Sequence, residues 1–389
     1  MKIAIVHEWL TTYAGSEKVL EAMLTEYPEA DVFTLIDFLP AQHGSVISPR
    51  VVCTSFMQRI PFVRHLYRYM LGVMPFAVEQ YDLSKYDVVI SNCHSVAKGV
   101  ITGPDQMHIC YCYTPMRYAW DLQNQYLKES NLHGGLSSVI ARVILHRMRL
   151  WDVRTAPGVD HFIACSAYIG RRIRKIYRRD SSVIYPNVAV DDFPINDGPR
   201  EDFYVTSSRM VPYKKIHLIV EAFSKMPDRK LVVIGAGPQF KRIKALAGPN
   251  VTLLGYQPFP VLLSHLRRAK AFIFAAEEDF GIAPLEAQAC GTPVLAYGRG
   301  GASETVVNGV TGLHFDEQSA SAICDVVEQF EAMPGCFDPH RIRAHSERFS
   351  TEQFRRQFRQ FVEARWVEHQ DKLRAGRGTP LQELRLVNA

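Results

Sequence analysis

No run of about 18 uncharged apolar residues occurs in this 389-residue chain, which excludes the simplest membrane-spanning helix. No secretory signal is expected either, because MKIAIVHEWL reaches Glu8 within ten residues instead of leading into an apolar core and a small-residue cleavage site. The expectation is a cytoplasmic, non-spanning protein. Zinc-knuckle and C-x-x-C spacings are absent among the eight cysteines. Cys110 and Cys112 stand at C-x-C, so the thiols read as reduced and partly buried. There is no fixed-period repeat and no low-complexity tract.

What is present is ordinary globular composition, 47% hydrophobic and 22% charged, at a length that suggests two domains. The net charge of +5 is unevenly spread. Residues 50–180 carry 18 Lys/Arg against 9 Asp/Glu, whereas the first 49 carry 2 against 7. Such asymmetry predicts a basic face in the first half.

Short β-rich runs (KIAIV, DVFTLI, DVVIS, HICYCY, HFIACS) alternate with loops and helical patterns up to about residue 185. VIYPNVAVDDFPINDGPRED holds three prolines with little periodicity and reads as a linker. Alternation restarts with YVTSSR, LVVIGAGP, VTLLGY, AFIFAA and PVLAYG. The fold class is α/β, with parallel sheets in two Rossmann-like domains. The domains are read as 1–186, a linker at 187–200, a second domain at 201–365 and a loose tail at 366–389. A cleft between the domains is expected, since ligands of open α/β sheets bind beyond the carboxyl ends of the strands.

Several constellations can carry chemistry. EEDFGIAPLEAQACGTPV places Glu278 at a strand's carboxyl end and Glu286 in the helix that follows. The loop through Phe280 presents a helix N-terminus at Gly281, Ile282 and Ala283, which suits an anion such as a diphosphate. From the pair alone, a dipole partner and a solvated loop charge explain the spacing equally well. SSRMVPYKKIHLIVEAF sets Arg209 and Lys214 at another strand end, as a phosphate clamp or as a solvated basic loop. VIGAGP, with Gly237, is half of a dinucleotide fingerprint. TTYAGSEKVL offers Gly15 and Ser16 before a helix, with Ser16 as a plain N-cap the simpler reading. CYCYTPMRYAWD ends a strand with Tyr113 and Arg117 among aromatics, either an acceptor surface or core packing. SFMQRIPFVRHLYRYMLGVMPF and ARVILHRMRLWDVR interleave arginine with apolar residues as interfacial amphipathic helices do, and snorkelling arginines or nucleic-acid binding are the competing readings.

Together these residues resemble the family 4 glycosyltransferases, retaining enzymes of the GT-B fold with two facing Rossmann-like domains. E-D-F-G-I-A-P-L-E followed by A-C-G-T-P-V resembles the family's E-x7-E motif, and R-M-V-P-Y-K its phosphate clamp. The resemblance implies that Glu286 binds the ribose of a nucleotide sugar and Glu278 the transferred sugar. Arg209 and Lys214, with the backbone after Gly281, would neutralise the leaving diphosphate. Ser166 resembles the serine ending the first domain's last strand, and Tyr256 lies where relatives border the base. Many relatives place a histidine at the strand end where this chain has Tyr113; His7 and His94 are its alternatives. No metal or other cofactor is expected, and the chain has no D-x-D triplet. The flavour is of bacterial mannosyltransferases that build O-antigen, capsule or exopolysaccharide, hence GDP-mannose, with UDP-sugars and a nucleotide-sugar epimerase as alternatives. The implied partners are a nucleotide sugar, a lipid-linked glycan acceptor and the inner-membrane surface, met through the basic aromatic face, with no nucleic acid.

Overall fold

The computed structural model describes residues 1–378 apart from 41–45, 131, 133 and 197. The chain divides into two compact units. One comprises Met1–Ala164, Arg172–Ile184 and the chain from Arg355 onward; the other comprises Cys165–Arg171 and Tyr185–Phe354.

The first unit is a parallel sheet ordered β3-β2-β1-β4-β5-β6-β7. Its strands are β1 Ile3–His7, β2 Asp31–Thr34, β3 Val51–Thr54, β4 Val88–Cys93, β5 Met107–Cys112, β6 His161–Ala164 and β7 Ser181–Val183. β1, β4 and β5 are buried along their whole length, as the central strands of a parallel sheet must be. The second unit is a parallel sheet ordered β10-β9-β8-β11-β12-β13. Here the strands are β8 Tyr204–Ser207, β9 Leu231–Ile234, β10 Val251–Gly255, β11 Phe272–Phe274, β12 Val294–Tyr297 and β13 Gly312–Phe315. Two apolar layers cover it. Tyr204, Ile273 and Leu295 point into one, while their neighbours Val205, Phe272, Phe274 and Val294 point into the other. Successive side chains of a strand alternate between faces, so both faces are apolar and the runs read as continuous rather than alternating.

Three expectations are corrected. The segment read as a linker is part of the second unit: Val188, Val190 and Phe193 enter its core, the Val188 N–H donates to the Phe349 carbonyl at 2.9 Å, and Arg343 donates to the Phe193 carbonyl. Its apolar residues are too few for periodicity but sufficient to pack. The stretch read as a loose tail from 366 begins as helix, since Thr351–Gly378 is continuous. Phe358 and Val362 are buried on that helix, and Arg355 and Arg359 pair with Glu26 of the first unit. Residues 379–389 lie outside the described residues. Finally, residues 56–78 form no single amphipathic helix. They make four short turns, Phe56–Arg59, Val63–Leu66, Tyr67–Met70 and Met74–Val78. Pro61 and Pro75 lack the N–H a continuous helix needs, and Phe62 adopts φ +59.

One buried histidine makes the first unit acid-sensitive. His108 is fully buried on β5, where Nδ1 donates to the Gly158 carbonyl at 3.1 Å and Nε2 therefore accepts from the Ser91 hydroxyl at 2.9 Å. Burial pushes its pKa down from 6.5 to about 4. The unfolded chain takes up a proton near pH 6.5 and the folded chain only near pH 4. Stability is thus intact above pH 6.5 and falls between 6.5 and 4, by about 3 kcal/mol from this residue. Burial lowers His94, His217 and His345 in the same direction. Urea unfolding at pH 7.5 and pH 5 should show the loss, and His108→Leu should reduce it; equal stability at both pH values contradicts the assignment.

Candidate functional site

The order of the second sheet reverses between β8 and β11, and in open α/β sheets such a switch point opens a crevice at the strands' carboxyl ends. Arg209 and Lys214 leave β8 there, and Glu278 leaves β11. Lys214 forms an ion pair with Glu278, the two side chains only 20% and 16% exposed. Arg209 is exposed. A step further, Gly281 takes φ +94 and caps the helix Ile282–Ala289, whose first turn carries Ile282 and Ala283. The first N–H groups of a helix have no partner within it and carry partial positive charge. Glu286 is half-buried one turn into that helix. Two cations, a helix N-terminus and two carboxylates therefore share one sheet edge. That arrangement can hold a diphosphate and the hydroxyls flanking it.

The loop before the helix is held from several sides. The sequence reading placed Phe280 among ligand contacts, but its ring is 4% exposed and stacks on Tyr185 at 5.6 Å, with Phe349 at 5.7 Å. Phe280 anchors the loop. Ser166, also expected at a ligand, is fully buried: its hydroxyl donates to the Asp279 carbonyl at 2.6 Å and accepts from the Ile169 N–H, capping the helix Ala167–Tyr177. Two supports escaped the sequence reading. Glu304 accepts from the N–H groups of Ala167 and Tyr168 and from the Tyr185 hydroxyl, which burial and this carboxylate push up to about 12. Gly301 donates its N–H to the Glu278 carbonyl at 2.7 Å, and a Cβ there would stand 2.2 Å from the Phe280 Cα. The doubled glycine in GRGGASE was the available signal. Gly301→Ala must displace the loop backbone, and we expect a loss of about 1–3 kcal/mol in stability together with weaker ligand-induced stabilisation. Thermal melts with and without nucleotide sugar test this; an unchanged pair of melts would rule it out.

Gly237 lies in the turn after β9, where a Cβ would meet the Met210 carbonyl oxygen at 2.7 Å. The glycine turn thus packs against the loop carrying Arg209, which explains G-x-G without a complete dinucleotide fingerprint. Tyr256 follows β10 and is 82% exposed, free to meet a planar group.

The first sheet reverses between β1 and β4. Gly15 and Ser16 are in the first turn of the helix Gly15–Glu26, not before it, and the N-cap is Ala14, whose N–H donates to Glu17 at 2.9 Å. The Ser16 carbonyl accepts from the Asn92 amide at 3.3 Å and the Tyr113 hydroxyl at 3.4 Å. His7 is fully buried between Glu17 and Asn92. His94 is half-buried, edge-on to Trp9 at 4.8 Å and 6.3 Å from Tyr113. Burial lowers its pKa, which favours the neutral imidazole. Arg117 is half-buried on the loop after β5. Glu8, which the sequence reading passed over, is fully buried and accepts from the N–H groups of His94, Ser95, Val96 and Ala97 at 2.7–3.1 Å. A carboxylate so held fixes the turn that presents His94.

Comparison with known proteins adds to this geometry. Residues 190–349 match the family described as glycosyl transferases group 1. The GDP-mannose-dependent alpha-(1-6)-phosphatidylinositol monomannoside mannosyltransferase of Mycobacterium tuberculosis is 29% identical over 220 residues, 49% of this chain and 55% of that protein. The glycogen synthase of the same organism is 27% identical over 243 residues, 58% of this chain and 57% of that one. The chain thus spans little more than half the length of these relatives. Among solved structures, a sucrose-phosphate synthase of Thermosynechococcus elongatus superposes with a TM-score of 0.71 at 18% identity, covering 94% of this chain and 100% of that one. Anabaena HepE, solved with UDP-glucose, gives 0.66 at 17% identity, covering 94% and 100%. At such identities the likeness shows the fold, which is GT-B.

Proposed function

We propose that the chain, whose residues 190–349 match the group 1 glycosyl transferases, is a family 4 enzyme of the GT-B fold that transfers a hexose from a nucleotide sugar with retention of configuration. The observation that carries the reading is the cluster at the second sheet's switch point: Lys214 paired with Glu278, beside the helix N-terminus at Gly281. As the glycosidic bond to the diphosphate breaks, negative charge grows on the departing phosphate. Lys214, Arg209 and the first-turn N–H groups are preorganised to stabilise it, in a site that needs no protein nucleophile. Glu278 is proposed to meet the transferred sugar and Glu286 the ribose, with Tyr256 at the base.

The donor is proposed to be GDP-mannose, in line with the mannosyltransferase relatives, and no metal takes part. The acceptor is proposed to be a lipid-linked oligosaccharide of bacterial surface-polysaccharide synthesis, bound near His94, Tyr113 and Arg117. Such an acceptor lies at the inner face of the cytoplasmic membrane, where the first unit's basic face would meet anionic lipid. No helix among the described residues is long and apolar enough to cross a membrane.

A melting screen against GDP-mannose, UDP-glucose, UDP-galactose and UDP-N-acetylglucosamine tests the donor. A ligand at 100 times its dissociation constant adds about 2.7 kcal/mol. The reading predicts the largest shift with GDP-mannose. A larger shift with a UDP-sugar transfers the assignment to that donor, and no shift with any of the four counts against a nucleotide-sugar site.

A further inference from the structure

The helix Gly135–Thr155 carries apolar side chains on the side it turns outward as well as on the side it packs. At about 100° per residue, Leu136, Ile140, Val143, Arg147 and Leu150 fall on one side, and that side is exposed: Leu136 76%, Ile140 52%, Val143 48%, Leu150 61%. The side turned inward carries Leu145 and Met148 with Ser138 and Asp152, flanked by the half-buried Ala141, Ile144 and Trp151. A helix packed only on its own unit would be polar on its outward side. Next to it lies the segment of short turns, since the Cβ position of Gly72 is 3.7 Å from Ile144 and Trp151 donates to Glu79 at 2.7 Å. That segment exposes Phe62 at 78%, Tyr69 at 85% and Phe76 at 59%.

Within the two stretches that form this face, the charges have one sign. Residues 50–78 and 130–151 contain no Asp or Glu. Arg59, Arg64, Arg68, Arg142 and Arg147 are all exposed. Outward aromatic and aliphatic side chains ringed by arginine, with no acid in either stretch, match the chemistry of an anionic bilayer surface, where acyl chains meet negative headgroups. A second copy of the chain would bring the same cations face to face.

We propose that the outward face of the helix Gly135–Thr155, with the exposed aromatics of residues 62–76, inserts shallowly into an anionic bilayer. The inference rests on the lipid-linked acceptor reading for its purpose. It identifies the exposed apolar side of this helix, rather than the arginines alone, as the element that enters the lipid.

Cosedimentation of the full chain with phosphatidylglycerol-rich and pure phosphatidylcholine vesicles tests it. The wild type should bind the first and not the second. Ile140→Asp with Val143→Asp, at exposed positions, should keep its melting temperature and any nucleotide-sugar stabilisation while losing about tenfold or more in vesicle partition. Arg142→Ser with Arg147→Ser should lose binding less steeply, most visibly at low salt. Unchanged partition of the double Asp variant overturns the proposal, as does its converting a dimer to monomer in sedimentation velocity with vesicle binding intact. A wild type that ignores vesicles yet is stabilised by a nucleotide sugar removes the surface and leaves the transferase reading standing. The reverse result removes the transferase reading and leaves the surface.

Discussion

Lys214→Ala is expected to lower kcat/KM by about a hundred- to a thousandfold, the usual cost of removing one preorganised group that stabilises transition-state charge. Lys214 ends the tight turn Pro212–Lys214, its N–H bonded to the Val211 carbonyl at 3.1 Å, so the backbone that aims it is fixed. Its ammonium meets Glu278 rather than bulk water. A structural ion pair and a phosphate clamp make different predictions for the partner. If Lys214 served only to neutralise Glu278, then Lys214→Ala and Glu278→Gln would have similar effects on nucleoside-diphosphate binding. On the present account they diverge. Lys214→Ala loses diphosphate affinity, whereas Glu278→Gln leaves the lysine available and keeps or raises that affinity while losing turnover. Titration calorimetry with GDP and UDP separates the two; equal losses in both variants would refute the division of roles.

Lys98→Met is expected to destabilise the protein by about 3–5 kcal/mol, because it leaves a fully buried carboxylate without its counter-charge. Lys98 and Asp152 are 1% and 0% exposed and 2.8 Å apart. The ammonium also donates to the Asp152 carbonyl and the Thr155 hydroxyl, both at 2.7 Å, and lies over the rings of Trp151 and Tyr177. Asp152 in turn accepts from Trp120 at 2.7 Å and from the Tyr177 hydroxyl at 2.9 Å. Every polar valence is used, which is why the pair persists in an apolar interior. Combining Lys98→Met with Asp152→Leu should cost less than Lys98→Met alone, since no orphaned charge remains. Urea denaturation checks both statements. A single variant within about 1 kcal/mol of wild type would show that the pair adds little.

Legibility of the fold followed the strength of local signals. Runs such as DVVIS and AFIFAA were readable because a parallel strand buried on both faces is apolar throughout. β3 and β7 were not read as strands, since Val51–Thr54 and Ser181–Val183 lie at sheet edges and are only partly buried. An edge position alone does not decide it, since β10 was read at one edge of the second sheet, while β13, Gly312–Phe315 at the other, is mostly buried and was missed as well.

For the candidate site, residues contributing charge at strand ends were visible: Arg209, Lys214, Glu278 and Glu286. Residues acting through backbone geometry or long-range contacts were not. Phe280 looked like a ligand contact because it adjoins the motif, and Ser166 because it resembles the serine ending the first domain's last strand, whereas tertiary packing turns both inward. Gly301 and Glu304 support the motif from more than twenty residues away, and Glu8 reaches the turn after β4 from 86 or more positions back. No window of sequence contains such pairs.

The most direct measurement follows a radiolabel on the sugar of the nucleotide donor chosen by the melting screen, using the full chain and a membrane lipid extract as the source of acceptor. The account predicts that label moves into the lipid-extractable fraction in the donor's own anomeric configuration and that Lys214→Ala slows the movement by about a hundredfold or more. Label that stays on the nucleotide as an epimerised sugar, or that moves equally well with Lys214→Ala, would contradict it.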